Sequence, residues 1–444
     1  MFDKTFDLQA NHTNFKTEVL AGITTFIAGM YIIVVNPSIL KDAGIPYAAG
    51  LTATVLLSAF CTIAMGWYAR NPILVAPGMG INAYFTYSVV IAQGVKPEIA
   101  LGAIFWSGVF FVVISALNIR TAIIKAIPAT VRLAGAVGIG LFIAVIGLHN
   151  SGFIVAKAPL LGVGTINAIT LVFLAGLFIT IILVVKKLKG AMVLGMIITT
   201  LIAWPIGRWF GNASAVNHGV KTLINYSGVY AAPDFSWFLK ADLLGSLRYS
   251  YIPIIFALLF VDMFDSITTF VGVAEAGNLK DENGDPKYIK QSMIVDGFAT
   301  LLGGVFGTSS GTAYIESAAG IHEGGRTGLT AVITGLLFLP FLFLSPLAQL
   351  IPSVATAPVL VLVGVFMAVP LKQIEWLNVE EAIPAFFTIL LIPLTYSLTQ
   401  GIVYGLLSYT LIKAILGKWK EIHPTLWAID VFSLLMLAIE YHLI

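Results

Sequence analysis

Along the chain, apolar runs of membrane-spanning length alternate with short polar stretches. A helix needs about 20 mostly apolar residues to cross the hydrocarbon core of a bilayer. Runs that meet or approach this length predict helical spans at 19–38, 48–68, 72–94, 98–117, 130–148, 166–185, 191–209, 251–274, 289–306, 308–321, 327–346, 356–370, 382–397 and 400–417. That makes fourteen. Two of them, the third and the tenth, are broken. "NPILVAPGMGINAYFTY" carries Pro72, Pro77, Gly78 and Gly80, and "GGVFGTSSGTAYIESAAGIHEGGRTG" places Gly303, Gly304, Gly307 and Gly311 before Tyr314. Proline removes a backbone donor and glycine weakens a helix, so neither segment reads as one continuous helix. In a last apolar segment, 425–443, Asp430 and Glu440 favour an interfacial helix over a fifteenth span.

Composition agrees with this pattern. The chain of 444 residues is 58% hydrophobic and 10% charged, with a mean hydropathy of +0.95. A soluble protein carries about 25% charged residues, so a soluble enzyme with a large core is excluded and an all-α polytopic membrane protein is expected. A net charge of +2 gives nucleic-acid binding no electrostatic support. Cys61 is the one cysteine, cannot form an internal disulfide, and reads as a packing residue. The polar N-terminal stretch has no apolar h-region and predicts no cleavable signal peptide. If the N-terminus is cytoplasmic, 17 of the 24 Lys and Arg residues fall inside, including Lys413, Lys418 and Lys420. This bias predicts an even number of spans in the cell membrane with both termini cytoplasmic.

The halves of the chain resemble each other. "GINAYF" (80–85) and "GTAYIE" (311–316) each follow a break and carry Ala-Tyr in mid-membrane. The same offset lays the first span, ending in "VVNPS", over the span holding "FDSIT". Seven spans separate the copies, an odd number, so the second is inverted. Two inverted seven-span repeats, 1–225 and 226–444, are therefore predicted, and paired breaks of this kind point to a transporter with a midplane site. Non-helical backbone at that depth is tolerated where protein or a wet cavity satisfies it.

Candidate chemistry is sparse. "GGVFGTSSG" lacks the Gly-Lys-Ser/Thr ending of a phosphate loop. "IHEGGRTG" offers too few ligands for zinc, and His322, Glu323 and Arg326 read as a solvated turn. No metal or other cofactor is expected. The acids are more informative. In "FVDMFDSITTF" (260–270), Asp262 and Asp265 are three residues apart on one helix face, with no Lys, Arg or His nearby. An ionised Asp on a membrane helix costs about 2.5–3.5 kcal/mol on insertion scales, so such acids face cavities and mark pathways. Asp262, Asp265 and Glu316 are the deep acids; Glu275 and Asp296 read as structural residues nearer loops or helix ends. A carboxyl that titrates near neutral pH can carry a proton with its substrate. In the competing reading the acids are held by core hydroxyls such as Ser266, Thr268 and Thr269.

The chain resembles the nucleobase–cation symporter family 2, in its azaguanine-type branch of purine permeases. The resemblance spans essentially the whole chain, through "GITTFIAGMYIIVVNP", "APGMGINAYF", "FVDMFDSITTFVGVAEAG" and "GTSSGTAYIESAAGIHEGGRTGLTA". It implies a core domain of spans 1–4 and 8–11, a gate domain of spans 5–7 and 12–14, and substrate near short extended stretches in spans 3 and 10. It further implies that Asp262 and Asp265 are the acidic positions of span 8, Glu316 the polar residue that bonds the base, and Asn82 the asparagine of span 3. Four residues after Asp265 stands Thr269, where the uracil and xanthine branches carry His or Asp. That argues for adenine, guanine or hypoxanthine. Proton coupling is assigned to Asp262, Asp265 and Glu316 together, with H+ preferred to Na+ because no oxygen cage is evident. Tyr84 and Tyr314 are candidate stacking surfaces for the planar base. A homodimer is implied by family likeness alone. Two other readings were weighed. An anion carrier of the same fold is opposed by the acids, and an Asp-x-x-Asp prenyltransferase by the lack of a second such motif.

Overall fold

A backbone in hydrocarbon has no water to bond, so it must satisfy itself locally, and helices do this. The computed structural model describes residues 6–117, 127–157, 160–214, 219–224, 226, 228–281, 284 and 286–440. In the first half, α1 (Phe15–Gly29) and α2 (Ile32–Asp42) meet at Tyr31, followed by α3 (Tyr47–Trp67). The strand β1 (Val75–Pro77) then leads into α4 (Met79–Ala83), which widens into a π-helix over Tyr84–Ala92. Next come α5 (Pro97–Ala116), α6 (Ala129–Asn150), β2 (Ile154–Lys157), β3 (Leu160–Val163), α7 (Ala168–Val185) and α8 (Ala191–Ala203). The second half holds α9 (Ile252–Gly277), α10 (Ile289–Phe306), β4 (Gly311–Ala313), α11 (Ser317–His322), α12 (Gly328–Phe338), α13 (Ser353–Met367), α14 (Val379–Thr395), α15 (Leu398–Ile415) and α16 (Pro424–Glu440).

Among the described residues, eight helical segments are long and apolar enough to cross a membrane; Met79–Ala92, Ala191–Ala203 and Gly328–Phe343 are apolar but shorter. The protein is thus a multi-pass, mostly helical membrane protein. The hairpin of β2 and β3, paired from Ile154↔Val163 to Lys157↔Leu160, lies between two predicted spans and was not foreseen.

The helices pack as two sets. α5, α10, α3, α12, α1 and α11 pack on one another, with α2 on α3 and α9 on α5. In the other set α13 and α14 pack on α6, α15 on α14, and α7 and α8 on each other and on α13. The sets touch through α4 and α9 on one side and α6 and α15 on the other, and again where α1 meets α8 and α2 meets α13. Burial follows this plan: 72% of the apolar window of α3 is inside the protein and only 33% of that of α7, so most of α7 is left uncovered by the rest of the chain. Small residues let neighbours approach closely. Gly108 of α5 lies against the backbone of Leu301 on α10, and Gly66 of α3 against Gly328 of α12.

The end of α11 and the start of α12 are closed by charged groups. Glu18 of α1 is fully buried and accepts from the backbone N–H groups of Arg326 (2.9 Å) and Thr330 (3.2 Å), satisfying donors that a helix start leaves free. The Arg326 guanidinium donates to the Ile321 (2.6 Å) and Gly325 (2.8 Å) carbonyls, and Glu323 pairs with Lys189 at 2.7 Å. The turn expected to be solvated is so only at His322, which is exposed; Arg326 and Glu323 are half-buried and knit the loop together.

Candidate functional site

The two broken segments meet. β1 and β4 pair antiparallel, with Val75 opposite Ala313, Ala76 opposite Thr312 and Pro77 opposite Gly311. Because Pro77 has no N–H, its neighbours extend the pairing: Gly78 N donates to Ser310 O and Tyr314 N to Leu74 O, both at 2.9 Å. Each strand solves the other's unmet hydrogen bonds, which is how extended backbone survives at this depth. The Tyr314 hydroxyl donates to the Pro77 carbonyl, and Ser317 Oγ accepts from Leu74 N at 2.9 Å. Being antiparallel, the strands send their helices off in opposite directions. Asn82 on α4 and Glu316 before α11 therefore leave from opposite ends of the pair.

Alternation along β4 sends Ser310 and Thr312 to one face, toward α9 and α10. Ser310 Oγ donates to Asp262 Oδ2 at 2.6 Å, and Thr300 of α10 also bonds that oxygen. Thr312 bonds Ser266 of α9 at 2.8 Å, and Ser266 in turn bonds Asp296. Asp262, Ser266, Asp296, Thr300 and Ser310 are all fully buried. Asp262 is thus an acid held by core hydroxyls, although its partners are Thr300 and Ser310 and not the hydroxyls of its own helix. Asp296, expected near a helix end, sits in the middle of α10.

Asp265 has a different setting. One turn on from Asp262, it is half-buried and lines an open cavity. Val261, Phe264 and Thr268 of α9 line the same cavity, with Arg132, Gly135, Ala136 and Ile139 of α6 and Ile402 of α15. The cavity therefore lies where the two helix sets meet. Glu316 is within electrostatic reach of Asp265 and accepts from the Tyr31 hydroxyl at 2.6 Å. Tyr31, which sequence reasoning missed, is buried at the α1–α2 junction, its ring 6.4 Å from that of Tyr314. Asn82 is fully buried, and neither its amide oxygen nor its nitrogen has a partner among the described residues. Tyr84 and Tyr314 are also buried, the former bonded to Thr399 of α15 at 3.1 Å. Of the six predicted site residues, Asp265 alone lines this cavity; Glu316 lies near it, Tyr314 braces the strands, Tyr84 reaches α15, and Asp262 faces away into the α9–α10 seam. Among the described residues no three acid, His or Cys side chains come together as a metal site.

The arrangement is that of a membrane transporter. The transmembrane domain of a cyanobacterial bicarbonate transporter, BicA, is similar with a TM-score of 0.63 at 16% identity, covering 88% of this chain and 97% of that one. The anion transporter family member SLC26A9 gives 0.62 at 12%, covering 94% and 68%. Likeness at such identity speaks for the fold alone. The family is set by sequence: the model of the Permease family, of xanthine/uracil type, matches residues 16–404. The chain belongs to this family of permeases, the nucleobase–cation symporter family 2. A putative permease of Methanocaldococcus jannaschii is 42% identical over 435 residues, covering 98% of this chain and 96% of the relative. The adenine permease AdeP of Escherichia coli is 38% identical over 428 residues, with coverage of 96% and 93%. The guanine/hypoxanthine permease PbuO of Bacillus subtilis is 39% identical over 426, with 94% and 96%.

Proposed function

We propose that this protein carries purine nucleobases, hypoxanthine and guanine before adenine, into the cell together with protons. The observation that carries the reading is a cavity between two helix sets, walled by Asp265 with Glu316 near it, in a chain whose full-length relatives are named for adenine and for guanine/hypoxanthine. A purine is planar and neutral, with N–H donors on one edge that a carboxylate accepts. Asn82, buried with its amide unpartnered, supplies a further polar contact that a ligand would complete. Two carboxyls near the cavity against one guanidinium disfavour an anionic cargo.

In this reading the chain forms fourteen spans as two inverted repeats, 1–225 and 226–444. The set built on α1–α5 and α9–α12 is the core domain; the set built on α6–α8 and α13–α15 is the gate. Base and proton bind from outside, the core slides against the gate, and both are released to the cytoplasm. Asp265, Glu316 and Asp262 remain the proton-carrying candidates, Asp265 first because it lines the cavity. The protein resides in the cell membrane with both termini cytoplasmic, as a homodimer by family likeness.

The test is uptake of radiolabelled hypoxanthine by cells expressing the chain, with guanine, adenine, uracil and xanthine as competitors and with or without a protonophore. Uptake blocked by guanine and by the protonophore is the expected result. Uptake that ignores the protonophore but requires Na+ would overturn the coupling, and no carriage of any purine would overturn the whole reading.

A further inference from the structure

The gate-side wall of the cavity carries a group that the acids do not explain. Arg132, Gly135, Ala136 and Ile139 all line it, at the i, i+3, i+4 and i+7 positions of α6, so one face of the helix is turned toward Asp265 and Thr268 on α9. Arg132 is half-buried, and its Nε is buried with no hydrogen-bond partner. Among the described residues it enters no ion pair. Glu381, the acid that reaches the first turn of α6 through Thr130, pairs instead with Lys413 at 3.8 Å. One donor of a planar fork is thus buried beside the cavity without an acceptor. Beside it is room, for a Cβ added to Gly135 would meet no heavy atom within 4 Å.

We infer that Arg132 is the specificity-determining contact for 6-oxopurines and that the base lies over Gly135 while Arg132 reads its O6/N7 edge. This rests on the purine reading above and names the edge and the residue. A guanidinium only donates, and in the N9–H tautomer of hypoxanthine or guanine both O6 and N7 accept, so the fork selects and fits that form. Adenine puts an amino donor where O6 would be, and that donor meets Arg132 without a partner. The opposite wall selects in the same sense. In an oxopurine the N1–H flanks O6 on the side away from N7, a donor suited to the Asp265 carboxylate, whereas adenine N1 is an acceptor.

The experiment uses the full chain in cells without purine uptake of their own, with membrane insertion checked for each variant. Hypoxanthine and adenine uptake are measured for wild type, Arg132→Gln and Arg132→Lys. Wild type is expected to prefer hypoxanthine. In Arg132→Gln the KM for hypoxanthine rises about tenfold or more, as for loss of one bidentate base contact, while adenine uptake holds or improves. Arg132→Lys, with charge but no fork, falls between. A second measurement is thiol labelling of Gly135→Cys, which hypoxanthine slows and uracil does not; the native Cys61 is buried and adds little background. An unchanged hypoxanthine-to-adenine ratio in Arg132→Gln, or labelling that hypoxanthine fails to slow, overturns the role of Arg132 and leaves the purine reading standing. A wild type that prefers adenine overturns the role of Arg132 and the oxopurine preference, and leaves purine carriage standing. A wild type that carries neither base overturns the purine reading and this inference with it.

Discussion

Asp262 and Asp265 differ by one helical turn and by everything around them. Asp262 satisfies two hydroxyls from α10 and β4, so removing its carboxylate leaves buried donors unmet, each at roughly 1–3 kcal/mol. Asp265 lines the cavity and has no such duty. Asp262→Ala is therefore expected to lower thermal stability in detergent, whereas Asp265→Asn abolishes proton-driven uptake with stability near that of wild type. Thermal unfolding beside uptake assays decides it, and the reverse pattern would reassign the two residues. That both acids are deep was legible in the sequence, because both fall well inside an apolar run of spanning length. Which of them faces the cavity was not, since a difference of one turn becomes meaningful only when the neighbouring helices are in place. Asp296 and Tyr31 escaped for the same reason: their partners, Ser266 and Glu316, are distant in sequence.

At the scale of elements, the breaks announced themselves through Pro and Gly, and the structure shows what those residues permit. β1 and β4 are three residues each, too short to persist alone, and they exist because each pairs with the other and β4 is bonded to α9 and α10. Helix crossings depend on glycine at some positions and not at others. Gly108→Val on α5 would drive a side chain into the backbone of Leu301, and overpacking of this kind costs about 1–3 kcal/mol. Gly135→Ala on α6 meets open space and removes a flexible residue from a helix interior, so its stability is expected to hold or rise slightly. Thermal unfolding of the two variants checks this; equal loss in both would mean that the space beside Gly135 is not open.

For the whole molecule, charge and hydropathy make a topological claim. With both termini cytoplasmic and fourteen spans, a fluorescent protein fused after α15 folds and glows in the cytoplasm, and a phosphatase fused there stays silent. Fusions between α8 and α9 are expected to show the opposite. Matching signals at the two sites would remove the inverted repeat. Membrane class, several of the apolar helices, the two breaks and the internal similarity were determined by the sequence alone, because hydropathy and backbone punctuation are local properties and the bilayer acts on each segment separately. The pairing of the breaks, the division of the acids between seam and cavity, and the presence of Arg132 opposite Asp265 were decided only by the tertiary structure. The seam joins residues 38 and 48 positions apart, and the strand pairing and the cavity join residues more than a hundred apart; the packing of helices against one another brings such residues within reach.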